Sequence, residues 1–233
     1  MQLKNSATTS ALVPIKDFAR AKSRLRPVLT AEQCAELAAC MAADVLCALR
    51  NCTGIGQVVC LGEEPLIRAF AAKQGCEFIA ERTGTGLSAN LDLAARQLQD
   101  NGTRTLLIVP VDLPTIQAAD IDECLNKHRG GLTICPAERD GGTNALVVSP
   151  PTGIGFQFGE QSCAKHIHAA KAAGLEHRVE DAPAFRYDID IPADLAWLCD
   201  ASPQGRTGRY LERSGLLEKI RGTSDRPPPA ATA

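Results

Sequence analysis

The sequence predicts an α/β fold in a single domain, with a mainly parallel, mixed central sheet. The chain has 233 residues, a length that suits one large domain or two small ones. Short apolar runs alternate with longer segments of helical periodicity through the first half of the chain. Residues 105–111 are almost wholly apolar, as expected for a strand that is covered on both faces in a parallel sheet.

Capping and turn residues divide the chain into its predicted elements. Thr30 and Gln33 have the spacing of a capping box, which begins a helix that ends near residue 50. Gly75 and Gly174 follow helical segments, where glycine supplies the left-handed conformation of a helix end. The predicted strands are residues 11–15, 57–61, 76–80, 105–111, 132–135, 145–149, 177–179 and 187–191. The predicted helices are residues 31–50, 63–74, 88–100, 118–127, 162–173, 209–221 and one that begins at 192.

The composition along the chain predicts one domain over residues 11–202. Residues 1–10 are polar and are expected to be flexible, and they lack the apolar region of a signal peptide. An extension begins at residue 203, and within it residues 209–221 have the pattern of one amphipathic helix. Residues 225–233 lack the apolar side chains needed for packing, so we expect the extension to be partly disordered.

Charge and cysteine content exclude several classes of function. The net charge is −2, so no general attraction to nucleic acid or to a membrane is expected. No run approaches 18 consecutive apolar residues, so a transmembrane helix is not expected. The ten cysteines form no Cys-x-x-Cys pair, and several lie in apolar runs. They are expected to be free, mostly buried thiols of a cytoplasmic protein.

Three aspartates are candidate metal ligands. Asp112 directly follows the apolar run 105–111, at the ligand-facing edge of such a sheet, although capping of the next turn is the alternative. Asp188 and Asp190 are two residues apart, so on a strand their carboxylates share a face and repel each other unless a cation lies between them. A solvated edge strand is the alternative for this pair. Together the three carboxylates indicate a Mg²⁺ site beside a phosphate.

A basic loop follows the first predicted strand. Five positive charges fall within eleven residues of an otherwise acidic chain, at Lys16, Arg20, Lys22, Arg24 and Arg26. Cations at the end of a strand indicate phosphate binding, because ligands of open α/β sheets bind beyond the carboxyl ends of the strands. A solvated helix face is the alternative interpretation.

Two later loops carry groups that bind anions. Gly141 and Gly142 precede Thr143, so backbone N–H groups and a hydroxyl can converge there, unless the glycines only form a hairpin turn. Gly159 precedes Ser162, which is predicted to be the N-cap of a helix. Free N–H groups at such a helix start attract anions, and capping alone is the alternative.

Taken together, these motifs resemble those of the guanylyltransferases that act early in the biosynthesis of coenzyme F420. That family joins GMP from GTP to a phosphorylated three-carbon acid: 2-phospho-L-lactate, phosphoenolpyruvate or 3-phospho-D-glycerate. The resemblance covers about residues 12–198, and its motifs are short but specific in order and spacing. They are LVPIKDFARAKSRL at 12–25, VDLP at 111–114, DGGTNAL at 140–146, FGEQS at 158–162 and DIDIPADL at 188–195.

The resemblance implies a Rossmann-like nucleotidyltransferase domain of the nucleotide-diphospho-sugar transferase type, with assigned site residues. The Mg²⁺ ligands implied are Asp112, Asp188 and Asp190. The residues implied to bind the phospho-acid are Thr143, Gly159 and Ser162. The GTP side would comprise Pro14, Lys16, Gly84, Gly86, Leu87 and Asn90. Ser88 stands where the Gly-Leu-Asn sequence of the family leads us to expect asparagine.

The residues and the resemblance predict one reaction. A phosphate oxygen of the acid attacks the α-phosphorus of GTP, and pyrophosphate leaves. The attacking oxygen is already anionic near neutral pH, so catalysis depends on alignment and on neutralisation of charge. Mg²⁺ and the cations of Lys16, Lys22 and Arg24 are expected to supply that neutralisation.

Two other functions stay open on the sequence. One is a related nucleotidyltransferase for another base or acceptor, of the cytidylyltransferase or molybdenum-cofactor type. The sequence Val13-Pro-Ile-Lys16 argues against it, because those enzymes usually carry a glycine-rich stretch there. The other is a non-catalytic nucleotide-sensing protein, which would be free to lose the three aspartates retained here. The apolar content and the C-terminal segment are also compatible with a homodimer.

Overall fold

The computed structural model describes residues 9–201 and 203–223, with side chains as far as residue 220. The described strands are β1 (Thr9–Ile15), β2 (Gln57–Gly62), β3 (Glu77–Ala80), β4 (Thr105–Ile108), β5 (Gly131–Pro136), β6 (Thr143–Ser149) and β7 (His177–Val179). The described α-helices are α1 (Ala31–Asn51), α2 (Leu66–Lys73), α3 (Leu87–Asp100), α4 (Ala118–Lys127), α5 (Ser162–Ala172), α6 (Pro192–Asp200), α7 (Gly205–Arg213) and α8 (Leu216–Thr223).

The seven strands form one sheet in the order β3-β2-β1-β4-β6-β5-β7. The pairs β1–β2, β2–β3, β1–β4 and β5–β7 are parallel, and β6 runs antiparallel to β4 and β5. The predicted mainly parallel, mixed sheet is therefore confirmed. Because β6 runs in the opposite direction, its first residues lie at the edge where β1, β2 and β4 end. Ligands bind at this edge in open α/β sheets.

Alternation along β1 places its side chains in two cores, one on each face of the sheet. Val13 and Ile15 are buried on one face with side chains of α1, such as Leu46. Leu12 is buried on the other face with side chains of α3, such as Leu91. This period of two follows from the pleat of a strand, and burial on both faces explains why β1 is almost wholly apolar. The capping box that begins α1 is present as predicted.

The C-terminal segment packs on α1 and extends the domain past residue 202, where the sequence interpretation ended it. Buried side chains of α1, such as Met41, form a third core with Tyr210 and Leu211 of α7 and Leu216 of α8. The prediction of one amphipathic helix over residues 209–221 is wrong, because α7 ends before a turn at residues 214–215 and a second helix, α8, follows. Thr9 and Ser10 belong to β1, whereas residues 1–8 and the predicted disorder at 225–233 lie outside the described residues.

The predicted strand at 187–191 is wrong. Residues 187–190 form an irregular segment, which touches the segment after β4 through one backbone hydrogen bond, 3.0 Å long, from Ile189 N to Asp112 O. The N–H groups of Asp190 and Ile191 instead donate to the Asp194 carboxylate, each at 2.7 Å. The Asp194 side chain thus accepts hydrogen bonds from the backbone N–H groups that pairing with a neighbouring strand would need. β4 likewise ends at Ile108 rather than residue 111, shortly before Pro110, which lacks an N–H group.

The cysteines agree with the sequence interpretation. All ten are free thiols, and burial raises the pKa of the Cys52 thiol to about 12. Among the described helices none is both long and apolar enough to cross a membrane.

Candidate active site

Most of the predicted site residues lie along the sheet edge where β1, β2 and β4 end, in two cavities and a charged cluster. A cavity of about 400 Å³ is lined by residues that follow β1, β2 and β3. A second cavity, of about 600 Å³, is lined by residues near the β5–β6 turn and the start of α5. Asp112 follows β4, which lies between β1 and β6 in the sheet, so the charged cluster around it stands between the two cavities.

The smaller cavity contains most of the residues predicted to bind GTP. Those lining it are Lys16, Gly84, Gly86, Leu87 and Asn90, together with Arg20, Glu63 and Arg82. Pro14 lies in β1, where it pairs with Leu61 of β2, two residues before Lys16. Gly86 has a φ of +77°, and no atom lies within 4 Å of the position of a Cβ there, so a ligand can approach the backbone closely.

The side-chain amide of Asn90 holds the loop between β3 and α3, residues 81–86, through both its oxygen and its nitrogen. Its Oδ1 accepts from Arg82 N at 2.7 Å, and its Nδ2 donates to the carbonyl oxygens of Arg82 and Gly86. Only 5% of the residue is exposed, so the amide holds the loop rather than standing free toward a base. Ser88 accepts a hydrogen bond from Phe158 N at 3.1 Å. Ser88, the residue at which the sequence departs from the family motif, therefore links the start of α3 to Phe158 in the lining of the larger cavity.

The charged cluster pairs cations of the basic loop with two of the aspartates. Lys22 Nζ lies 2.6 Å from Asp112 Oδ2 and 3.9 Å from Asp190 Oδ1. Arg24 Nη1 lies 2.8 Å from Asp190 Oδ2. The Lys22 backbone is left-handed, with a φ of 51°, and its side chain is only 10% exposed. The basic loop is therefore folded onto the carboxylates, with two short 3₁₀ turns at Phe18–Arg20 and Ser23–Leu25, rather than being a solvated helix.

Asp188 is paired with an arginine that the sequence analysis did not single out. Arg139 lies in the loop between β5 and β6, and its Nη2 is 3.5 Å from Asp188 Oδ2. Its Nη1 is 2.8 Å from Asp194 Oδ2. Burial, and next the charge of Asp112, raise the pKa of Asp188, so the two carboxylates lie close enough to repel. The position of Arg139 beside the motif DGGTNAL was the available signal.

The three aspartates have the chemistry of a divalent-cation site, although the chain's own cations now lie among them. Asp112 Oδ1 is buried and has no hydrogen-bond partner among the described residues, as expected for an oxygen reserved for a cation. No group of three or more His, Cys, Asp or Glu side chains in the described part of the chain is arranged to hold a metal ion. Lys22, between Asp112 and Asp190, occupies that space. Carboxylate oxygens are ligands that Mg²⁺ prefers, and the unpartnered Asp112 oxygen suits such an ion, with Lys22 as its competitor.

The larger cavity contains the three residues predicted to bind the acid. Thr143, Gly159 and Ser162 line it, together with Arg24 and Asp188 from the charged cluster. Ser162 is not the N-cap of α5, because Gln161, with a φ of 55°, occupies that position. The Ser162 hydroxyl instead donates to Thr143 Oγ1 at 3.0 Å, and Ser162 N donates to Gly159 O at 3.1 Å. Ser162 thus holds Thr143 and Gly159 in place in the wall of the larger cavity.

A buried histidine that the sequence analysis did not select lies behind this wall. His166 Nδ1 is 3.2 Å from Thr143 Oγ1, and His166 Nε2 is 3.0 Å from Gln157 N. The residue is fully buried, and this burial, with a further contribution from Lys165, lowers the pKa of His166 to about 4. The imidazole is therefore neutral at pH 7. Its spacing of four residues from Ser162 on one helix face was the signal in the sequence.

A model of the guanylyl transferase CofC-like family matches residues 9–226, nearly the whole chain. The chain belongs to this family. It is 35% identical over 224 residues to the phosphoenolpyruvate guanylyltransferase of Roseiflexus sp. (strain RS-1), which covers 94% of this chain and 98% of that protein. It is also 35% identical over 207 residues to the 3-phospho-D-glycerate guanylyltransferase of Phenylobacterium zucineum, covering 86% of this chain and 94% of that protein.

The fold of this CofC-like chain is shared with solved nucleotidyltransferase structures. A crystal structure of a Desulfovibrio desulfuricans protein, attributed to the nucleotide-diphospho-sugar transferases, superposes with a TM-score of 0.78 at 20% identity. The likeness covers 93% of this chain and 98% of that one. The predicted fold, that of the nucleotide-diphospho-sugar transferase type, is therefore confirmed.

For this CofC-like protein we expect His166 to make folding stability depend on pH. Its pKa is about 4 in the folded chain against 6.5 for a free histidine, so the stabilisation is fully present above pH 6.5 and is lost as the pH falls toward 4. The expected loss is about 3 kcal/mol in the free energy of unfolding. Denaturant unfolding of wild type and His166→Gln between pH 7 and 4 measures it.

The exposed His168 provides the matched control for this stability measurement. His168→Gln should lose stability with falling pH as the wild type does, whereas His166→Gln should show a shallower loss. Identical slopes for wild type and His166→Gln would contradict the buried, neutral imidazole.

Proposed function

We propose that this protein joins GMP from GTP to a phosphorylated three-carbon acid and releases pyrophosphate. The observation that carries the proposal is the arrangement of two cavities on either side of a cluster of cations and carboxylates. Such an arrangement places two anionic substrates next to each other with neutralising charge at their junction. Family membership and the activities named for its relatives support the same reaction.

The residues of the chain divide the work of this reaction. Lys16 lines the smaller cavity, which would hold GTP. Gly84 and Gly86 line the same cavity and would lie near the guanine base. Arg24 lines the larger cavity, which would hold the acid, and Lys22 stands between them. A phosphate oxygen of the acid forms a bond to the α-phosphorus as the bond to the bridging oxygen of pyrophosphate breaks. The attacking oxygen carries no proton to remove, so no general base is required.

Asp112, Asp188 and Asp190 would hold Mg²⁺ in this proposal. The unpartnered Asp112 oxygen and the raised pKa of Asp188 support it, since both indicate carboxylates in need of a cation. When bound, Mg²⁺ would neutralise charge on the α-phosphate and on the leaving pyrophosphate. Lys22 would then be released from Asp112 and become available to the phosphates, which are its alternative anionic partners.

The product fits a role in coenzyme F420 biosynthesis, and we propose that the protein works there in the cytoplasm. The ten free thiols support a reducing compartment. The homodimer remains a prediction with less support, because apolar residues of the C-terminal segment, such as Leu211, are buried on the chain's own α1.

Pyrophosphate release from GTP tests the reaction and identifies the acid. The purified protein is given GTP and Mg²⁺ with 2-phospho-L-lactate, phosphoenolpyruvate or 3-phospho-D-glycerate, each at the same concentration. We expect release with one acid to exceed the others, and CTP to replace GTP poorly. Release with CTP but not with GTP would assign the protein to the cytidylyltransferase alternative. Absence of release with every acid would contradict the proposal.

Thr143→Val is expected to weaken binding of the acid by about 10- to 100-fold, because a hydrogen bond to a charged group contributes about 1.5–3 kcal/mol. GTP affinity should change far less, since Thr143 lines only the larger of the two cavities. Isothermal titration with each ligand separately measures both affinities.

Thr105→Val is the matched control for this acid-binding measurement. Thr105 also begins a strand and its hydroxyl contacts another hydroxyl, Ser149 Oγ at 2.7 Å, but it lies at the opposite end of the sheet. It should leave both affinities unchanged. Equal losses for GTP and acid in Thr143→Val would mean that Thr143 supports the fold rather than the acid.

A further inference from the structure

The buried His166 takes no part in the reaction as described above, yet it contacts the wall of the acid cavity from behind. Its ring lies edge-on to Phe158, with the ring centroids 4.9 Å apart, and its Nδ1 is 3.2 Å from Thr143 Oγ1. Both of these neighbours line the acid cavity, whereas His166 itself is fully buried. A buried imidazole with a partner on each nitrogen has a defined orientation and a defined proton position.

The backbone partner of His166 determines which ring nitrogen carries the proton. Gln157 N, 3.0 Å from Nε2, is an amide and can only donate, so Nε2 accepts and carries no proton. The single proton of a neutral imidazole is therefore on Nδ1. That N–H group points at Thr143 Oγ1, which accepts it.

The hydroxyl of Thr143 can then interact with a ligand only by donating its proton. An alcohol oxygen has two lone pairs and one proton. At Thr143 one lone pair accepts from His166 Nδ1, and the other accepts from the Ser162 hydroxyl at 3.0 Å. Both acceptor positions are taken by groups of the protein, so the Thr143 proton is the part of this hydroxyl that remains for a ligand.

We propose that His166 is a positioning residue that makes Thr143 a dedicated hydrogen-bond donor to the phospho-acid. The proposal rests on the proposed function, which places the acid in the cavity that Thr143 lines. A carboxylate or phosphate oxygen only accepts hydrogen bonds, so a hydroxyl that is fixed as a donor favours the anion. Without the N–H group of His166, the Thr143 hydroxyl could turn its proton away from the acid.

Two substitutions separate this role from a structural one. In His166→Gln the side-chain carbonyl can still accept from Gln157 N, but the donor to Thr143 is lost. In His166→Asn the amide N–H lies near the place of Nδ1 and can still donate to Thr143, while Gln157 N loses its acceptor. We expect His166→Gln to raise the KM for the acid about 5- to 20-fold with little change in the KM for GTP. His166→Asn should raise the KM for the acid much less, because it keeps the donor to Thr143.

The exposed His168, two residues further along α5, gives the matched control His168→Gln, which should leave both KM values unchanged. A larger rise in acid KM for His166→Asn than for His166→Gln would overturn the proposal, because the acceptor for Gln157 would then matter more. Wild-type acid KM in His166→Gln would also overturn it. So would equal rises in the KM values for acid and GTP, which would indicate general damage to the site.

A measurement without substrates keeps this inference separate from the proposed function. The ¹⁵N chemical shifts of the His166 ring in the full, ligand-free protein report the tautomer, with His166→Gln used to assign the signals. We expect a neutral ring protonated on Nδ1 at pH 7. A ring protonated on Nε2 overturns the positioning role even if the enzyme turns over, whereas absent turnover with every acid and an Nδ1-protonated ring would count against the proposed function.

Discussion

Asp112→Ala is expected to lower kcat by about two to three orders of magnitude, the effect typical of losing a group that neutralises charge in the transition state. Asp112 accepts from Lys22 at 2.6 Å, and its other oxygen is buried without a partner among the described residues. Both features assign this carboxylate to holding a cation rather than to supporting the fold. Turnover at saturating GTP, acid and Mg²⁺ measures the loss, and thermal unfolding checks that the chain remains folded.

Asp181→Ala is the matched control for this change, because the Asp181 carboxylate is exposed and pairs with Arg186 at the surface. It should retain wild-type turnover. Alanine at Asp188 or Asp190 should resemble alanine at Asp112 if the three hold one ion. Wild-type turnover in Asp190→Ala with Mg²⁺ limiting would show that the metal assignment is wrong.

Lys22→Ala is expected to lower kcat by about a hundredfold or more, since Lys22 is the cation placed between the two cavities. Its side chain is only 10% exposed and its ammonium group contacts Asp112 and Asp190, so it is already held in the charged cluster between the two cavities. The KM values should change less than kcat, because we expect Lys22 to neutralise the negative charge that develops in the transition state rather than to bind the substrates. Steady-state kinetics with GTP and the acid varied in turn separates the two parameters.

Lys73→Ala removes the same charge from an exposed position at the end of α2 and should have no effect. Lys22→Arg gives a second comparison: it keeps the charge, but its planar fork does not reproduce a compact ammonium group in a confined space. A Lys22→Ala variant with unchanged kcat and a lower melting temperature would mean that Lys22 supports the loop rather than the reaction.

Most of the fold could be predicted because its signals are local. The apolar run of β1, the capping box of α1 and the glycines that end α2 and α5 are each a few residues long, and the structure contains all of them. The strand predicted at 187–191 failed because alternation alone does not supply a partner. Asp194, four residues after Asp190, takes the backbone donors that a neighbouring strand would have needed.

The class of fold, the family and the loops that carry the site could be predicted because strand and helix periodicity, caps and short motifs are properties of neighbouring residues. Which side chains meet could not be predicted in this way. Lys22 and Asp112 are 90 residues apart in the chain, and Thr143 and His166 are 23 apart. The antiparallel entry of β6 brings Thr143 to the edge where β1 and β4 end. Contacts of this kind depend on strand order and helix packing, which no local pattern encodes.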